Sequence, residues 1–103
     1  MARLVFTSSA YNDHAAILTE LADIAGPVTA SRFDFRFERL FDRLAEFPRS
    51  GAPRPSLGQG VRIGVVAPYV VIYRYSSRDD AATVLRIIHA RRKISGELLR
   101  SRG

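Results

Sequence analysis

The sequence predicts an α+β fold of order β-α-α-β-β-β, an antiparallel sheet with a helical hairpin packed on one face. Three observations predict it. Between residues 10 and 47, apolar side chains recur at helical spacing in two successive segments broken at Gly26-Pro27. From Gly60 to Arg92 the pattern changes to short runs rich in Val, Ile and Tyr. Those runs are joined by very short connections, which make the last three strands consecutive antiparallel neighbours and leave no room for crossover helices. Both helices must therefore cover the same face.

The first element, Arg3 to Thr7 (RLVFT), is a short apolar run of strand formers. Ser8 or Ser9 can cap the helix that follows. From Ala10 to Ala25, Ile17, Leu21 and Ile24 fall on one face, and Gly26-Pro27 ends the segment. His14 falls on a face expected to be exposed. In the second helix Phe33, Phe37, Leu40, Phe41, Leu44 and Phe47 form one apolar stripe, with Thr29 or Ser31 available as a cap and Pro48 as the stop. Such a stripe reads as core rather than as an aromatic binding surface. So short a link between the helices predicts an antiparallel hairpin.

Arg49 to Gln59 (RSGAPRPSLGQ) is rich in Pro, Gly and Ser and reads as a long loop, of the kind that is often functional. Val61 to Val66 is the second strand, and Ala67-Pro68 the turn. Tyr69 to Tyr75 is the third, with Tyr69, Val71, Tyr73 and Tyr75 on one face and Val70, Ile72 and Arg74 on the other. Ser76 to Asp80 is turn-forming, and Ala82 to His89 is the last strand. A basic tail follows from about residue 90, with a short helix expected around Ser95 to Arg100.

At 103 residues the chain is read as a single domain spanning 1–103. It has no cysteine, which removes disulfides, zinc–thiolate sites and thiol nucleophiles. No apolar run approaches the roughly 20 residues of a membrane span, and the N-terminus does not resemble a signal peptide. A cytoplasmic protein is expected, with no membrane partner, no cofactor and no metal. Charge is the strongest functional hint. Residues 1–53 hold six basic and seven acidic side chains, whereas residues 54–103 hold ten basic and three acidic. A basic half on so small a domain predicts an anionic partner.

The element order, together with FDRLAEFPRSGAPRPSL at the exit of the second helix, YVVIYRY in the central strand and VLRIIHARR at the last, resembles the RelE/ParE superfamily. These are toxins of bacterial type II toxin–antitoxin systems, and the resemblance spans roughly residues 3–94. It implies one of two activities. RelE-like members cut messenger RNA on the ribosome, and ParE-like members poison DNA gyrase. Both are silenced by an antitoxin encoded beside them, whose C-terminal segment wraps the toxin.

Cutting RNA through its 2′-hydroxyl needs a group to activate the hydroxyl, an acid for the leaving oxygen and cations for the phosphate. The resemblance implies that such a set would be Lys and Arg on the middle strands, Arg at the end of the last, and a Tyr or His beyond it. Here the second strand has Arg62 but Gly64 two residues on. No Tyr or His follows Arg92, and Glu97 stands approximately where the family's tyrosine would. The ParE-like branch is therefore favoured, with no catalytic residues of its own. The alternatives are a nuclease using Arg62, Arg74, His89 and Arg91, and a member that binds an antitoxin without being toxic.

Candidate target- or antitoxin-binding residues are Arg62, Tyr69, Tyr73, Arg74, Arg86, His89, Arg91, Arg92 and Lys93. By alternation Arg62, Arg74 and Arg86 are expected on the open face of the sheet, unless they pair with Asp79, Asp80 or helix carboxylates. The expected partners are a ParD-like antitoxin with an acidic or amphipathic C-terminal segment and DNA gyrase, or the ribosome and messenger RNA in the nuclease case.

Overall fold

The computed structural model describes residues 1–92 and residue 99. Strand β1 (Arg3–Phe6) leads into helix α1 (Ser8–Ala25) and helix α2 (Pro27–Glu46). The sheet is completed by β2 (Ala52–Pro53), β3 (Val61–Val66), β4 (Tyr69–Ser76) and β5 (Ala81–His89). The strand order is β1-β5-β4-β3-β2. β2 to β5 pair antiparallel, as the short connections require, but β1 runs parallel to β5, so the sheet is mixed. The helical hairpin is the crossover that permits the parallel pair.

Both helices begin earlier than their spacing suggests. Thr7, not Ser8 or Ser9, caps α1: its Oγ1 accepts from the Ala10 amide at 3.0 Å and donates to the Leu85 carbonyl at 2.8 Å. One residue, Gly26, joins the helices at φ +91°, a conformation that suits glycine. Pro27 then opens α2, where its missing N–H removes no helical bond, so neither Thr29 nor Ser31 is the cap.

The stripe on α2 packs the core as expected. Phe37, Leu40, Phe41 and Leu44 are buried with Val71, Tyr73, Val84 and Ile87 of the sheet, and Phe33 lies against them. Phe47 departs from the stripe: it sits past the last helical turn and is 58% exposed. Ile24 is likewise at the surface, 74% exposed, on the last turn of α1. His14 is not on an open face. Its ring stands edge-on to Phe37 and Phe41 at 5.3 and 5.6 Å, because α1 and α2 close on each other there.

The face of the sheet away from the helices is not bare. Val61, Ile63, Val70, Ile72 and Ile88 form a second buried cluster, with Leu57, Leu85 and Leu99 packed on it. Leu57 comes from the segment read as an irregular loop, which holds β2 and a short 3-10 turn at Pro55–Leu57. The tail helix expected near Ser95 to Arg100 lies, apart from Leu99, outside the described residues.

Candidate functional site

The faces of β4 follow the alternation, but the three strand arginines do not share one face. Residues opposite each other in an antiparallel pair point to the same side. Arg62 stands opposite Tyr73, which belongs to the helix-side core, and Arg74 stands opposite Val61, on the other side. Arg62 reaches the α2–β3 connection, where it donates to the carbonyls of Arg49 and Gly51, both at 2.9 Å. Arg74 is exposed and donates through Nε to the Gln59 carbonyl at 3.2 Å, in a shallow groove shared with Arg78.

Arg86 misses the open face for a different reason. Ile72 faces Arg86 while Tyr73 faces Val84, so Leu85 is an extra residue on β5 and the alternation slips by one. Arg86 turns toward α1 and meets Asp13 with Nε–Oδ2 2.8 Å and Nη2–Oδ1 3.2 Å. Asp13 Oδ2 also accepts from the Ile87 amide at 2.9 Å. The hydrogen bond to Asp13 holds the guanidinium above its ordinary pKa against the opposing effect of burial. Arg86 is thus a tie between helix and sheet. Asp13 was not singled out from sequence, since nothing in a lone carboxylate on α1 marks its partner 73 residues away.

Tyr73 is also structural. Its hydroxyl donates to the Pro48 carbonyl at 2.8 Å and accepts from the Gly51 amide at 2.9 Å. Burial raises its pKa, and the Gly51 amide and the Arg62 charge pull it partly back. Gly51 has to be glycine here: a Cβ would stand 2.5 Å from the tyrosine oxygen and 2.6 Å from the Ile63 carbonyl. Tyr75 donates to Asp80 at 2.9 Å, which raises its pKa, and the Arg49 guanidinium lies 5.0 Å from its ring centre. Together these contacts tie down the exit of α2.

The other end of β4 is different. A cleft of about 500 Å³ opens between α1 and the ends of β4 and β5, with Ile17, Ile24, Tyr69, Glu20, His89 and Arg92 among its lining. The Tyr69 ring is wedged between Phe33 and Phe37 on one side and His89, at 5.7 Å, on the other. Burial, helped by the Glu20 charge, raises the Tyr69 pKa, so it is a neutral phenol. His89 Nδ1 accepts from the Arg91 amide at 3.0 Å, which leaves Nε2 as the protonated nitrogen of the neutral ring. Arg91 and Arg92 are exposed. Lys93 lies outside the described residues.

The four residues of the nuclease alternative are not brought together. His89 faces Tyr69, whereas Arg74 is five residues further along β4, about 17 Å at the usual strand rise, and Arg62 is on the opposite face from Arg74. Gly64 lies directly beneath Leu40, where an added Cβ would stand 3.0 Å from its side chain, so this position faces packed core. Among the described residues no group of three or more His, Asp or Glu is placed to hold a metal. No helix there is long and apolar enough to cross a membrane.

Comparison with known proteins agrees with this fold. The chain is 32% identical over 98 residues to toxin ParE3 of Caulobacter vibrioides, covering 95% of this chain and 96% of the relative. The solved chromosomal ParDE system of P. aeruginosa superimposes with a TM-score of 0.71 at 26% identity, over 86% of this chain and 96% of that one. The RelBE2 toxin–antitoxin complex of Mycobacterium tuberculosis shares the fold, with a TM-score of 0.57 at 23% identity over 85% and 90% of the two chains. The family described as ParE toxin of the type II toxin–antitoxin system parDE matches residues 4–94, and the chain belongs to that family.

Proposed function

We propose that this chain is a ParE-like toxin that arrests growth in the cytoplasm by binding DNA gyrase and is neutralised by a ParD-like antitoxin. The observation that carries the choice over the nuclease is the dispersal of Arg62, Arg74, His89 and Arg91 over two faces and two ends of the sheet. Acid–base cleavage needs its groups within hydrogen-bond reach of one scissile phosphate. A binding poison needs only a complementary surface, and the cleft lined by Tyr69, His89 and Arg92 supplies aromatic and cationic groups, with the exposed Arg91 next to it in sequence. Lys93 extends the same basic run in sequence.

The basic half of the chain favours an acidic antitoxin segment, attracted before contact is made. Arg74 is an accessible candidate for that contact, while Arg62, Tyr73 and Arg86 act through the fold.

The test is expression without antitoxin, scoring gyrase-trapped DNA breaks and ribosomal cleavage of messenger RNA in the same cells. Arrest with DNA breaks and intact messages is the expected result. Arrest with cut messages would transfer the function to the nuclease branch. Continued growth at full expression would leave an antitoxin-binding scaffold.

A further inference from the structure

Helix α2 presents two faces of opposite character. Phe37, Leu40, Phe41 and Leu44 are buried in the core. The opposite side carries Phe35, Arg39, Asp42 and Glu46, all exposed, at the i, i+4, i+7 and i+11 spacing of one helical row about 16 Å long. Together with Arg43 and Phe47 they line a shallow groove of about 430 Å³.

Two features separate this groove from an ordinary solvated helix face. The first is aromatic. Phe35 and Phe47 are 63% and 58% exposed, one toward each end of the groove. Both stand on ordered backbone: Phe35 is in mid-helix, and the Phe47 amide donates to the Arg43 carbonyl, next to Pro48, whose own carbonyl is held by Tyr73. Little further ordering is needed when a partner covers them.

The second feature is charge. Arg39, Asp42, Arg43 and Glu46 place two cations and two anions in the groove. Their i, i+3 spacing would let Arg39 meet Asp42 and Arg43 meet Glu46 within the helix. Among the described residues, however, none of the four makes an ion pair; the Arg39 guanidinium lies instead 5.9 Å from the Phe35 ring centre. The four charges cancel, and the positive excess of the chain lies in residues 54–103, away from this helix.

The row is also complementary to itself. When α2 meets a second α2 antiparallel, about a two-fold axis level with the Leu40–Phe41 peptide, Arg39 of each copy stands opposite Asp42 of the other. Phe35 then stands opposite Glu46 of the other copy, toward its Phe47. A uniformly acidic partner would instead be repelled by Asp42 and Glu46.

We propose that the outer face of α2 is a homodimer interface, in which two copies of this chain pair groove to groove with Arg39 against Asp42 at the centre and Phe35 and Phe47 at the ends. An interface of this kind closes on itself and leaves no surface for further addition. No residue of the groove lines the cleft of Tyr69, His89 and Arg92, so the dimer carries two open clefts. Two linked clefts bind a target with a repeated surface more tightly than either does alone.

Sedimentation velocity on the full free chain, 11.5 kDa as a monomer, tests the proposal. The mass is expected to double at micromolar concentration. Arg39→Asp and Asp42→Arg are each expected to weaken the dimer at least tenfold, because each sets like charges face to face. An equal mixture of the two variants is expected to dimerise again, since each chain then offers the charge that the other needs. Misfolding of either variant could not give that recovery. A chain that stays monomeric across the micromolar range would overturn the proposal. A dimer indifferent to both substitutions, or one not recovered on mixing, would overturn the interface. A monomeric chain whose Arg39→Asp variant binds the protein encoded beside it more weakly would overturn the choice of occupant.

Discussion

The two ends of β4 use the same residue types to opposite effect. At the Tyr73 end, tyrosine and arginine are spent on the chain's own carbonyls: Tyr73 on Pro48, Arg62 on Arg49 and Gly51. At the Tyr69 end, a tyrosine ring and the Arg92 side chain border an open cleft, and among the described residues that side chain has no hydrogen-bond or ion-pair partner. An arginine or tyrosine on a strand is therefore not a functional marker until its partner is known. One end fixes the frame, and the other is left free to meet something else.

The sharpest way to break this contrast is at the tie that holds α1 to the sheet between them. Asp13→Ala would strip Arg86 of both its bonds and orphan the Ile87 amide. Its expected cost is about 3 kcal/mol, because a largely buried charge loses its partner. Denaturant unfolding measures it, and a cost no larger than that of a surface substitution would show that the tie is not structural.

Tyr73→Phe is expected to cost about 1–2 kcal/mol, since the Pro48 carbonyl and the Gly51 amide both lose their partner. The same hydroxyl predicts a pH dependence. Its native pKa is raised above the ordinary value of 10.0, so its contribution is complete below pH 10 and is lost as pH rises through the native value. A stability curve that falls above pH 10 should be shallower in Tyr73→Phe. An unchanged slope would assign the fall to other groups, of which Tyr69 is the first candidate.

The smallest expected effect on stability, and the most informative about function, comes from the open end. Arg92→Glu should leave the melting temperature unchanged, because the side chain is exposed and makes no hydrogen bond or ion pair among the described residues. It should still weaken growth arrest when the chain is expressed without antitoxin. Full toxicity in that variant would move the target surface away from the cleft, and a lowered melting temperature would make this end structural too.

Much of the architecture was legible because it rests on local periodicity. The α2 stripe, the β3–β4–β5 meander and the faces of β4 all follow from spacing that a reader can count. The boundaries were less legible. Gly26-Pro27 looked like a stop and a gap, whereas glycine closes α1 and proline opens α2 with nothing between. The candidate residues divided in a similar way. Tyr69, His89 and Arg92 share a cleft because Tyr69 and His89 face each other across two neighbouring strands. Arg62 and Arg86 did not stay on the open face.

The sequence by itself determined the α+β class, the hairpin over one face, the antiparallel meander and the concentration of positive charge in the second half. Each depends on residues close together in the chain, where side-chain period and turn chemistry act directly. Only the tertiary structure decided that β1 lies parallel to β5, that the bulge at Leu85 turns Arg86 toward Asp13, and that Arg62 is held by the α2–β3 connection. Those outcomes depend on partners 11 to 78 residues apart, such as Thr7 with Leu85 and Arg62 with Gly51. No local period encodes them, because the pairing of a polar group is settled by what the completed fold places within reach.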